Sequence, residues 1–261
     1  MANRVVLITG ASSGVGYALA LAFARRGDHL CVTARRVERL AELEQAVKAL
    51  PGHGEFLAIA ADVTDGAAVQ SAVDQAVARW GRLDVVVANA GVGQRGSIAD
   101  SNWDDLETLL RTNIDGVLHT IRAGVPALRA AGGGQIVIIS SVVAGMIAPY
   151  AAAYSASKTF VSNLARSLRL ELEVDNIGVT DVQLGRVATE FSERRLGASG
   201  HAAKAPRLPV MTPEFVAEGI IKAVDRKQLR VVLRLFDWLI VLGNLLVPGF
   251  IGRRALKQYK T

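Results

Sequence analysis

The chain has 261 residues, 51% of them hydrophobic and 21% charged, with a single cysteine. That size and composition fit one globular domain with a sizeable core and exclude disordered, collagenous, coiled-coil and disulfide-stapled secreted classes. The formal net charge of +6 suggests nucleic acid until it is located: residues 226–261 hold eight basic side chains and one acid, Asp237, so the rest of the chain is nearly neutral and no nucleic-acid partner is expected.

Short β-branched runs alternate with longer segments of helical period, the pattern of a parallel sheet covered by helices. Val5 to Thr9 reads as the first strand and Gly14 to Arg26 as the helix after it. A second strand over Leu30 to Ala34 precedes a helix over Val37 to Leu50, in which Leu40, Leu43 and Val47 form an apolar stripe. Phe56 to Ala60 is a third strand, and Asp65 is placed to cap a helix reaching Trp80. Leu83 to Ala88 is a fourth strand, almost continuously apolar, as a strand covered on both faces should be. Trp103 to Ala131 holds one long helix or two joined end to end, stopped by three glycines before a fifth strand over Gln135 to Ser140. A helix over Ala152 to Val174, a sixth strand over Ile177 to Leu184, a helix over Pro213 to Val224 and a seventh strand over Leu229 to Leu233 complete the order.

These units predict an α/β, single-domain, doubly wound Rossmann fold over residues 1–235, with a mostly parallel seven-stranded sheet and helices on both faces. Residues 186–211 mix charge, Gly and Pro where the chain leaves the carboxyl edge of the sheet, and read as a mobile flap over a site rather than an ordinary insertion. Residues 236–261 form an apolar and basic extension. Its uncharged run from Trp238 to Gly252 would span about 22 Å as a helix against about 30 Å of hydrocarbon, too short for a conventional transmembrane segment. No signal peptide is visible at the N-terminus, and the lone Cys31 fits a reducing compartment, so a cytoplasmic location is expected.

Three constellations carry chemistry. The first strand runs into Thr9-Gly10-Ala11-Ser12-Ser13-Gly14-Val15-Gly16, where glycines permit a tight turn and bring backbone amides to a pyrophosphate at a helix N-terminus. At the end of the second strand stand Ala34, Arg35 and Arg36; an acid there suits the ribose of NAD, whereas arginine suits a 2′-phosphate, so NADP(H) is the expected cofactor. Tyr154 and Lys158 stand four apart and share a helix face, and an ammonium near a phenol lowers its pKa from about 10. The fifth strand delivers Ser140 and Ser141 just before that helix. No metal-ligand spacing is present.

With Asn89-Ala90-Gly91 after the fourth strand, Asn113 in the long helix, and Ser141, Tyr154 and Lys158 in order, the chain resembles the classical short-chain dehydrogenase/reductase family, NADP-preferring subgroup, over roughly residues 3 to 235. The resemblance implies a catalytic set of Asn113, Ser141, Tyr154 and Lys158. Tyr154 exchanges a proton with the substrate oxygen, Ser141 hydrogen-bonds that oxygen, Lys158 binds the nicotinamide ribose and favours the tyrosinate, and Asn113 holds a relay water. It also implies cofactor contacts from Gly10, Ser12, Ser13, Gly14, Val15, Gly16, Arg35, Arg36, Asp62, Val63, Asn89, Ala90, Gly91, Tyr154, Lys158, Gly185, Val187 and Thr189, with Asp62 at adenine and Arg35 at the phosphate. Two departures stand out: Leu184-Gly185 replaces the usual Pro-Gly, which frees φ and restores an amide donor, and the extension resembles tails of members acting on lipid-like or steroid-like substrates.

The function these features imply is NADP(H)-dependent interconversion of a carbonyl and a secondary alcohol on a small apolar substrate, by a homodimer or homotetramer. The alternatives are a reductase of thioester-linked 3-ketoacyl substrates and a non-catalytic NADP-binding regulatory protein. The extension is read as packing internally or between subunits, with peripheral contact to an anionic membrane surface as the other reading.

Overall fold

The computed structural model describes residues 3–197 and 210–257. Seven strands, β1 (Val5–Thr9), β2 (His29–Ala34), β3 (Phe56–Ala60), β4 (Val85–Ala88), β5 (Gly134–Ser141), β6 (Ile177–Leu184) and β7 (Arg230–Val231), form one sheet in the order β3-β2-β1-β4-β5-β6-β7. Every pairing is parallel. The order reverses between β1 and β4, and this is the doubly wound Rossmann arrangement, whose ligand crevice opens at the carboxyl ends beside that reversal.

Helices α1 (Gly14–Ala24), α2 (Val37–Lys48), α3 (Gly66–Trp80), α4 (Trp103–Leu110), α5 (Gly116–Ala130), α6 (Ala152–Glu171) and α7 (Pro213–Asp225) cover the two faces. Two apolar cores result. One packs Leu19, Phe23, Leu40, Leu43 and Ile220 against the sheet, and the other packs Val73, Leu128, Val161 and Leu172 on the opposite face. The strands between the cores are buried on both sides, which is why β1 and β4 consist of apolar residues apart from Thr9. Asp65 caps α3, accepting from the amides of Ala67 and Ala68 at 2.9 and 3.2 Å.

Three departures from the sequence reading stand out beside shifts of one or two residues at other element ends. The long helix is α4 and α5 joined through a π-helical turn, Arg111–Asp115, so Asn113 lies inside a local distortion of the kind that gathers at functional sites. Helix α6 stops at Glu171 and passes through a 3₁₀ turn into Asn176, whose φ of 55° reverses the chain. Strand β7 has two residues rather than five, pairing only with Asp181 and Val182, because the chain then turns Leu233 onto Gly219 and starts another helix. That helix, α8 (Leu235–Leu246), and α9 (Pro248–Leu256) make up the extension. Among the described residues no single helix is long and apolar enough to cross a membrane; α8 and α9 together reach the length and composition but are bent by 114°. Part of the expected flap, 198–209, lies outside the described residues.

Candidate active site

The loop after β1 is held open by its glycines. Gly10 and Gly14 take φ of 69° and 57°, a region L side chains rarely enter. A Cβ on Gly16 would lie 2.5 Å from both the Asn89 side-chain nitrogen and the Gly10 carbonyl. Asn89 explains the crowding: its amide donates to the carbonyls of Thr9 and Gly10 at 2.9 and 3.1 Å, while Thr9 Oγ1 accepts from the amides of Asn89 and Ala90. The ends of β1 and β4 are thus tied together at the topological reversal. Val15 packs on the core. Gly16→Ala is expected to cost about 1–3 kcal/mol by overpacking, read as a lower denaturation midpoint.

A second group gathers at the ends of β4 and β5. Ser141 hydrogen-bonds the Tyr154 phenol, and its own hydroxyl donates to the Leu184 carbonyl at 3.1 Å. Lys158, fully surrounded, donates to the Ile139 carbonyl at 3.0 Å. Asn113 clamps the chain at Val92, accepting its amide at 2.8 Å and donating to its carbonyl at 3.0 Å, and reaches the Ser157 hydroxyl at 3.1 Å. Ser157 in turn donates to the Tyr154 carbonyl. At Gly91 a Cβ would lie 3.2 Å from Asn113 Oδ1 and 3.4 Å from Lys158 Nζ, so the missing side chain lets this backbone come close to both.

Electrostatically this group differs from the simple expectation of a lowered phenol. Burial pushes Tyr154 up to about 12, against the opposing effects of the Ser141 hydrogen bond and the Arg195 charge. Burial also pushes Lys158 down to about 8, with the Asp181 charge acting against it. In this arrangement desolvation outweighs any help the ammonium gives the phenolate.

The two arginines after β2 part company. Arg36 donates to the hydroxyls of Ser12 and Ser13, at 3.0 and 2.9 Å, and pairs with Glu190 at 3.1 Å. Arg35 is largely exposed, 3.6 Å from Asp62. Asp62 also accepts from the amide and hydroxyl of Thr64. Val63 is buried, with its side chain against Gly116. Beyond β6, Thr189 faces Gly14 across the crevice, Val187 bridges to Met211, and Gly185 packs on Asp237. A cleft of about 630 Å³ opens between the glycine loop and this segment, lined by Ser13, Gly14, Tyr17, Arg39, Glu190 and Pro213; Tyr154 is not in its wall. Glycines that leave backbone-lined space, next to Ser12, Ser13 and Arg36 as donors, fit the phosphates of a dinucleotide.

Several residues here escaped the sequence reading. Phe191 stacks obliquely on Tyr154, with ring centroids 6.0 Å apart, and Arg195 places its charge within reach of the phenol. Glu190 collects Arg36, Arg39 and Arg194, and the hydrogen bond from Arg36 leads the effects that hold its carboxyl below the usual range. All three lie in the segment where Gly and Pro erase periodicity, so no spacing announced them. Asp181 is another: it is buried in β6, accepting from Ser140, Ser162 and Gln183. A charged residue within an apolar strand was the available signal.

Comparisons with known proteins bear on the family and the fold. The family model described as short chain dehydrogenase matches residues 4–198. The chain is 35% identical over 234 residues to the glycine betaine reductase ATRR of Emericella nidulans, covering 87% of this chain and spanning 18% of that longer protein. It is 32% identical over 276 residues to dehydrogenase/reductase SDR family member 7B of Bos taurus, covering 99% and 83% of the two chains. A solved short-chain dehydrogenase from Streptomyces avermitilis superposes with a TM-score of 0.82 at 29% identity, covering 98% of this chain and 97% of the other.

Proposed function

The chain belongs to the short chain dehydrogenase family, and on that premise we propose that it is an NADP(H)-dependent oxidoreductase interconverting a carbonyl and a secondary alcohol on an apolar substrate. The observation that carries this reading is the convergence of Ser141, Tyr154 and Lys158 at the carboxyl edge, beside a glycine-lined crevice.

In this reading the bound nicotinamide dinucleotide supplies or accepts the hydride. The protein's residues do the rest. Tyr154 gives its phenol proton to the carbonyl oxygen in reduction and takes it back in oxidation, while Ser141 holds that oxygen in place. Lys158 lies beside Gly91, where a ribose hydroxyl can meet its ammonium, and Asn113 holds Ser157, whose hydroxyl fixes the Tyr154 carbonyl. Ser12, Ser13 and Arg36 hold the phosphates, Asp62 lies at the adenine end, and Phe191 gives the substrate side an apolar wall. Turnover of a panel of ketones and secondary alcohols with NADPH and NADH tests the proposal; no turnover with any pair by the folded protein would overturn it.

Cofactor choice gives a separate test. Because Arg36 is the arginine seated on Ser12 and Ser13, Arg36→Ala is expected to weaken NADPH binding about tenfold or more, from the loss of a charge-assisted hydrogen bond of about 1.5–3 kcal/mol. NADH affinity should change little. Arg35→Ala, at an exposed side chain that meets Asp62, should have the smaller effect. Fluorescence titration of both reduced cofactors measures it, and equal affinities in the unaltered protein would remove the assignment to NADP(H).

A further inference from the structure

Helix α8 is built inside out. Its two buried side chains are Asp237 and Asn244, 2% and 9% exposed, and they are also its charged and amide residues. Seven positions apart, they share one face at about 100° per residue, and the opposite arc carries Leu235, Phe236, Trp238, Leu239, Leu245 and Leu246. All six are exposed, Leu235 to 75% and Leu245 to 76%. The apolar strip continues through Val247 and Phe250 into α9. A helix in water normally turns these faces the other way.

The polar face is fastened to the body. Asp237 pairs with Arg234 at 2.7 Å and fills the space beside Gly185, where a Cβ would lie 2.4 Å from its carboxylate. Asn244 donates to the Gly145 carbonyl at 2.8 Å, and Gly252 of α9 packs on Ile147. The helix pair therefore rests on the loops after β5 and β6, the walls of the candidate site, and presents its apolar side outward. Phe250 shares a helix side with Arg253 and Arg254, three and four residues on, and both arginines and Lys257 are exposed. A surface joining apolar anchors, a Trp and clustered cations is complementary to an anionic bilayer face.

We propose that α8 and α9 dock the protein on anionic lipid, with the apolar arc of α8 in the acyl boundary and Arg253, Arg254 and Lys257 among the headgroups. The docking requires no chemistry at Tyr154, so it stands or falls apart from the enzymatic reading.

Sedimentation of the full-length protein with phosphatidylcholine vesicles, with and without phosphatidylserine, tests it. The unaltered chain is expected to pellet with the anionic vesicles. Arg253→Gln with Arg254→Gln should weaken this by roughly fivefold for each arginine, and high salt should act the same way. Leu239→Glu with Leu245→Glu, at exposed positions, should abolish it with the melting temperature unchanged. Should that variant misfold, brominated lipid provides a second measurement: it should quench tryptophan fluorescence of the unaltered protein, and Trp238→Phe should remove most of the quenching. Protein remaining in the supernatant with anionic vesicles at low salt would overturn the proposal. So would a dimer that separates on Leu239→Glu with Leu245→Glu and binds no vesicles, which would make the arc a subunit interface.

Discussion

Tyr154→Phe is expected to lower turnover by roughly 10²- to 10⁴-fold while leaving NADPH affinity almost unchanged, the usual worth of a positioned acid/base group. The phenol, hydrogen-bonded to Ser141, is the proton source in this proposal, whereas the proposed cofactor cradle is built from the β1 loop and Arg36. Removing the hydroxyl takes away the proton and leaves the ring against Phe191, so the fold and cradle persist. The measurement pairs steady-state rates on the best substrate with NADPH titration. A variant keeping more than about a tenth of the rate would put the proton elsewhere, since even the weaker acid/base contributions exceed that.

Asp181→Asn should move the pH dependence of reduction. Burial pushes Lys158 down to about 8, and the Asp181 charge partly resists. Asp181 sits 2% exposed, accepting from Ser162 at 2.6 Å and Gln183 at 2.9 Å and from Ser140, whose neighbour Ile139 takes the Lys158 ammonium on its carbonyl. Arg230 donates to the far side of the Gln183 amide at 2.7 Å and holds it in the orientation that donates to Asp181. Neutralising the carboxylate removes the effect that raises Lys158, so the ammonium is lost at lower pH and the alkaline fall in kcat shifts to the acid side. Re-pairing the buried donors should also cost about 1–3 kcal/mol of stability. A kcat profile unmoved in pH, with stability lowered, would reduce Asp181 to a structural residue. Linkage gives the sign of a companion effect. The folded value of about 8 lies below the ordinary 10.5, so the unfolded chain binds more protons between these pH values, and the burial cost of Lys158 fades as pH rises through that window.

Sheet and helix order were legible because most strands are short, largely apolar runs set off by glycine or an acid, and the surface helices repeat at 3.6 residues. Leu40, Leu43 and Val47 pack where their spacing put them. Asp65 caps as its position suggested. The π turn at Asn113 was not legible, since an inserted residue leaves the helical pattern almost intact. Within the site, strand-to-helix order could bring Ser140 and Ser141 toward Tyr154 and Lys158, and the family resemblance singled out Ser141. The difference between Arg35 and Arg36 could not be read, because adjacent residues after a strand leave in opposite directions and only the fold decides which one meets Ser12. The electrostatics at Tyr154 were equally hidden: spacing names the neighbours of a phenol but not how far water is withdrawn from it.

The fastening of α8 bears on temperature. Burial of apolar surface gives unfolding its large heat-capacity change, and attachments made that way slacken as water is cooled. Asp237 against Gly185 and Asn244 against Gly145 bury polar groups instead. Releasing α8 from its seat should therefore carry little heat-capacity change, while the two apolar cores beneath carry most of it. On cooling, the cores should pass their stability maximum before this partly polar seat loosens, so the extension should keep its place in the cold better than a helix seated on leucines.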